Sequence, residues 1–137
     1  MARPALVSFL FLVTTTACGG DPSALVTKSG GRASTKSVAA AVGAKQAKDL
    51  FESLCFTCHG LTGHGDGPGA AALNPKPRTF AEVAWQDSVT DDQITKAITL
   101  GGAGVGKSPI MPAQPQLKGQ TEVLAGLVKI VRAFRGK

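Results

Sequence analysis

The sequence predicts an all-α domain with long loops. Two helical faces carry this reading, one ahead of Cys55 and one from Leu124 to Phe134, together with the lack of any segment that alternates as a strand would. A chain of 137 residues has room for one folded domain, and 43% hydrophobic with 18% charged residues is a globular rather than a disordered composition.

Residues 1–17 read as an export signal, with Arg3 ahead of the apolar run Ala5 to Val13 and small residues up to Ala17. That run is too short to cross a bilayer, which takes about 20 residues. Thr15-Thr16-Ala17-Cys18-Gly19 resembles the cleavage site of bacterial lipoproteins, where Cys18 would become the lipidated first residue. Thr15 stands where that site usually has Leu, and ordinary cleavage before an unmodified Cys18 is the alternative. On either reading the chain leaves the cytoplasm, and lipidation would hold it on the periplasmic side of a bacterial membrane. Residues 18–42 then form the lipidated Cys and a flexible linker of Gly, Ser, Thr, Ala and Lys with no apolar period. Its reach is about 27 Å. The folded domain is expected over 43–137.

The chain carries a formal charge of +6, and residues 43–137, with 11 basic and 8 acidic side chains, carry +3. This spread is too diffuse to point to nucleic acid.

In the first expected helix Ala44, Ala47, Leu50, Phe51, Leu54 and Cys55 share one face. It delivers the first thiol of Cys55-Phe56-Thr57-Cys58-His59. In an exported protein such a pair could close a disulfide, act as a redox centre or belong to a zinc site. A redox centre of the thioredoxin type wants a preceding strand, and zinc wants four converging ligands, which Cys55, Cys58, His59 and His64 cannot readily supply. Cys-x-x-Cys-His is instead the attachment signature of c-type haem. Two thiols one helical turn apart add to the two vinyl groups, and the next residue sets an imidazole under the iron.

Thr90-Asp91-Asp92-Gln93 is a capping box that opens a helix running to about Leu100 and closing at Gly101. Asp91 and Asp92 resemble a catalytic pair, but a helix N-terminus accounts for them. The next stretch, "GGAGVGKS", matches a phosphate-cradling loop letter for letter. Such a loop must run into a helix, and Pro109 and Pro112 forbid one, so no nucleotide is expected. Once the signal is removed, Met111 is the one methionine remaining, on a loop between those prolines. A lone Met is ordinarily core filler. Here it is a candidate sixth ligand whose thioether would raise the potential of a His-ligated iron. At the C-terminus Leu124, Leu127, Val128, Val131 and Phe134 form a helical apolar face, with Lys129, Arg132, Arg135 and Lys137 suited to the negative end of the dipole.

The stretches "LFESLCFTCHG", "GHGDGPG", "LNPKPRTF", "TDDQITKAITLGGAG" and "SPIMPA", in that order, make residues 43–137 resemble a mono-haem class I cytochrome c. The resemblance implies N- and C-terminal helices packed together around one covalently bound haem c, held by Cys55 and Cys58, with His59 and Met111 as axial ligands. It also implies that a proline carbonyl, of Pro68 or else of Pro75 or Pro77, accepts a hydrogen bond from the His59 ring. Trp85 would pack on the haem with its indole N–H near a propionate, or serve as plain core. Ile130 stands where the family commonly has an aromatic, a contact that Phe134 could take over. His64, five residues after His59, is the competing ligand but would struggle to reach the opposite haem face. The implied activity is that of a single-electron carrier rather than an enzyme, monomeric and serving redox protein partners, with Lys107 and Lys118 near the exposed haem edge. The rival readings are a haem catalyst or gas sensor, and a fixed electron-entry subunit of a larger oxidoreductase.

Overall fold

The computed structural model describes residues 34–137, and it is helical, with no strand among them. The export signal, Cys18 and most of the linker lie outside the described residues. The described residues open on α1 (Thr35–Leu50), which passes through a π-helical turn (Phe51–Cys55) into the single turn α2 (Phe56–His59). A long loop leads to α3 (Val83–Ser88) and α4 (Asp91–Gly104). A 3₁₀ turn (Pro115–Leu117) then precedes α5 (Thr121–Ala133). None of these helices is long and apolar enough to cross a membrane.

The onset of α1 corrects the linker boundary. The helix starts at Thr35, capped by the Ser34 side chain, whereas the apolar pattern begins only at Ala44. Residues 35–42 are exposed on every side, so they leave no burial signature in the sequence. Alanines 39 to 41, good helix formers, carry this stretch instead. The buried face differs too: Gly43, Ala47 and Phe51 are buried, while Ala44 is exposed and Leu54 is 44% exposed. The wider turn at Phe51–Cys55 accounts for Leu54, because it carries the four-residue spacing of Gly43, Ala47 and Phe51 on to Cys55 and turns Leu54 outward.

The crossing of α1 and α5 forms the centre of the fold. Val123, Leu124, Leu127, Val128 and Val131 of α5 are buried with Ala47, Phe51, Phe80, Ile94 and Leu117 in one cluster. Close approach needs small residues: a Cβ on Gly43 would strike Glu122, and one on Gly126 would lie 2.6 Å from the Ala47 Cβ. Beyond the crossing, the Phe134 ring lies 5.6 Å from that of Phe51, the contact expected of it in place of an aromatic at Ile130.

The capping box of α4 forms as expected, with the Gln93 N–H donating to Thr90 Oγ1 and the Thr90 N–H donating to Gln93 Oε1. Its regular course ends at Leu100, since Gly101 takes φ 71°, a left-handed conformation that favours glycine. The sequence pattern does not single out α3. It is six residues long, has no capping side chain, and is secured by Arg132 in the last turn of α5 and Arg135 just past it.

Candidate haem site

Cys55, Cys58 and His59 fall on the continuous helical path that ends at Gly60. Both thiols are half-buried and unjoined, and burial pushes the Cys55 thiol above the usual range. Among the described residues no three His, Cys, Asp or Glu side chains converge as a metal-binding set.

The glycines of "GHGDGPG" explain how the motif is held. Past His59 the chain turns back along α2, and the N–H groups of Gly65, Gly67 and Gly69 donate to the carbonyls of His59, Cys58 and Thr57 at 2.9, 3.2 and 2.7 Å. These are the last-turn carbonyls that a helix leaves without intrahelical partners. A side chain on Gly67 would collide with the carbonyls of Phe56 and Thr57, so the loop must be glycine there to lie this close.

His59 is gripped by the segment Arg78 to Phe80. Its Nδ1 lies 3.2 Å from the Arg78 carbonyl oxygen, and its ring stacks on that of Phe80 with centroids 4.5 Å apart. A carbonyl can only accept, so Nδ1 carries the proton and Nε2 keeps a free lone pair. Burial pulls the imidazole pKa below its ordinary value, the neutral state a metal requires, against the smaller opposing effect of the Arg78 carbonyl. The bond goes to Arg78 rather than to Pro68, Pro75 or Pro77. Pro68 lies in the stretch whose flanking amides of Gly67 and Gly69 are spent on α2, whereas the loop brings Arg78 beside the ring. Sequence reading missed Arg78 because a backbone acceptor leaves no residue signature. Phe80 had a signal, as a lone aromatic in the loop before α3.

The other expected residues are placed as follows. Trp85 is half-buried against the core, its ring 5.7 Å from Phe80 and covered by the Arg78 guanidinium at 5.3 Å. His64 is exposed, its Nδ1 3.1 Å from Thr62 Oγ1. Met111 is half-buried while Pro109, Ile110 and Pro112 around it are exposed. Its carbonyl accepts from the Gly102 N–H at 3.0 Å and its N–H donates to the Ser108 carbonyl at 3.3 Å. The Lys107 N–H returns to the Gly102 carbonyl at 2.7 Å. Thus "GGAGVGKS" closes a helix rather than opening one, and its amides fasten the Met111 loop instead of cradling a phosphate.

These residues suit a haem. The donor set offers two thiols three positions apart and an imidazole with Nε2 free. Large apolar side chains stand exposed beside each half of the set in sequence: Leu54 and Leu61 flank the motif, and Leu100 and Ile110 flank the glycine and methionine stretch, at 44, 63, 52 and 48% exposure. Such surface is unfavourable in water and suits a large planar apolar group.

An all-helical domain with a Cys-x-x-Cys-His helix end, a glycine loop locking that end and a fastened methionine loop defines a c-type haem protein. A family model described as Cytochrome c matches residues 44–124, more than half of the chain, and the chain belongs to the cytochrome c family. Membership implies covalently bound haem c, with Cys55 and Cys58 in the attachment motif, and a role in haem-based electron transfer with redox protein partners. Comparison with curated proteins returns no match, and comparison with solved structures returns none.

Proposed function

We propose that this chain is a mono-haem, single-electron carrier whose iron would be held by His59 and Met111, working as a monomer outside the cytoplasm. The observation that carries the reading is the fastening of Met111. A side chain that merely filled the core would not need a loop stitched to Gly102 at both Met111 and Lys107. When bound, the haem iron supplies the one-electron change between ferric and ferrous states. The protein's part is to keep both ligands in place in either state, so that little rearrangement accompanies transfer. His59 contributes a ring locked by Arg78 and Phe80. Met111 contributes a soft thioether that favours the ferrous state.

The test is spectroscopic. Oxidised wild type is expected to show the weak red-end band of sulfur-to-iron charge transfer, and Met111→Ala to lose it. The reduced wild type is expected to resist carbon monoxide at neutral pH. Carbon monoxide binding by the unaltered protein would instead favour a catalyst or gas sensor. A missing wild-type band, with a spectrum altered by His64→Ala, would overturn the ligand assignment.

The export pattern of residues 1–17 and the site around Cys18 support a lipid-anchored protein of the bacterial cell envelope, held on the periplasmic side. Cys18→Ser is expected to free the protein from membranes with its haem retained. A soluble wild type that begins at an unmodified Cys18 would defeat that reading.

A further inference from the structure

Gln86 is the one buried polar side chain among the described residues, 4% exposed within an otherwise apolar core. Burying a carboxamide is unfavourable unless each of its groups is paired, and here each is. Its Nε2 donates to the Phe80 carbonyl at 2.7 Å and to the Val131 carbonyl at 2.8 Å. Its Oε1 accepts from Arg132 Nη1 at 3.0 Å. Arg132 is itself pinned, donating to the backbone carbonyls of Gln86 and Val89 at 2.6 and 2.7 Å and to Asp91 Oδ1 at 2.8 Å. The amide is therefore held rigidly at the junction of α3, α4 and α5.

What this rigidity acts on is the segment gripping His59. Residues 75–79 have no regular secondary structure, yet Arg78 holds the Nδ1 of His59 and Phe80 covers its ring face. Two backbone bonds fix Phe80, its N–H to the Gly63 carbonyl at 2.6 Å and its carbonyl to Gln86. An apolar residue of equal size would fill the same space without directing the Phe80 peptide. We propose that Gln86 is a positioning residue for the His59 imidazole: through the Phe80 backbone it sets the plane of the ring and the Nδ1 bond to Arg78. This rests on His59 being an axial ligand, as proposed above. A hydrogen-bonded imidazole is the more basic ligand, which favours ferric iron.

The test uses the haem-loaded protein. In wild type, His59 ring protons are expected at paramagnetically shifted positions in the NMR spectrum, with the Nδ1 proton protected from solvent exchange. Gln86→Met, close in size, and Gln86→Glu, which keeps the Arg132 partner but loses both donors, are expected to displace those signals, speed exchange of the Nδ1 proton and raise the midpoint potential. Arg132→Met, which leaves both donors of Gln86 in place, is expected to shift them the same way by less. The control is Arg135→Gln, which breaks the paired bonds to Asp87 across the same α3 and α5 junction without touching Phe80. It is expected to lower the melting temperature and leave signals and potential unchanged. If the Gln86 variants lose stability while their His59 signals and potential overlay those of wild type, Gln86 is structural and the proposal falls. An unprotected Nδ1 proton in wild type also overturns it. Wild type without shifted His59 ring signals would remove the ligand assignment itself, and with it this inference.

Discussion

Gly126 sits where α5 crosses α1, with Ala47 and the backbone of Ala44 and Gly43 against it. A side chain there forces the helices apart along the buried row of Val123, Leu127 and Val131. Overpacking of this kind costs about 1–3 kcal/mol. Removing glycine from a helix interior returns about 1 kcal/mol at most, and less for a β-branched residue. Gly126→Val is therefore expected to lose stability by about 0.5–2.5 kcal/mol, read from denaturant unfolding of the haem-loaded protein. Combining Gly126→Ala with Ala47→Gly is expected to cost less than the two changes added separately, because the second opens the space that the first fills. Equal or higher stability of Gly126→Val would show that the crossing is looser than this geometry. Neither Gly43 nor Gly126 stands out in the sequence, since a glycine is legible as an interface residue only once its neighbour is known.

The legibility of each helix followed how local its determinants are. The start of α4 was plain because Thr90 and Gln93 hold each other across one turn, with no help from the rest of the chain. Thr90→Ala is expected to destabilise by about 1 kcal/mol and Thr90→Ser by much less, by denaturant unfolding. An unchanged Thr90→Ala would mean that the Asp91 bond to Arg132 holds this helix end by itself. The early turns of α1 were missed because an exposed alanine-rich segment has no apolar period. The π-helical turn was missed because it only re-spaces burial. The brief α3 depends on bonds from Arg132 and Arg135, more than forty residues away in sequence.

At the scale of the molecule, half of the twelve lysines and arginines among the described residues are neutralised within the surface. Lys45, Lys48, Arg78, Lys96, Arg132 and Arg135 each pair with a carboxylate. Lys107 and Lys118 are exposed and form none of those pairs, one in the Met111 loop and the other just past the 3₁₀ turn. Their charge is thus available to a partner. Carriers that dock briefly use small interfaces, below about 1,200 Å², where encounter rate depends on steering. Lys107→Glu and Lys118→Glu are expected to slow electron transfer to an acidic redox partner and flatten its dependence on salt, with the haem spectrum unchanged. Rates and salt slope equal to wild type would place docking elsewhere.

The sequence by itself determined the helical class, the Cys55, Cys58 and His59 motif, the cap at Thr90 and the turn at Gly101. Each is set by residues within a turn or two of one another, through periodicity, hydrogen bonding across a turn, or the conformational freedom of glycine. Tertiary structure decided which carbonyl orients His59, how Met111 is fastened, and why a buried glutamine belongs beside Phe80. The first two depend on backbone groups that every residue carries alike, so no side chain announces them, and the third joins side chains 46 residues apart. They become specific only when folding brings Arg78 to His59, Gly102 to Met111 and Arg132 to Gln86.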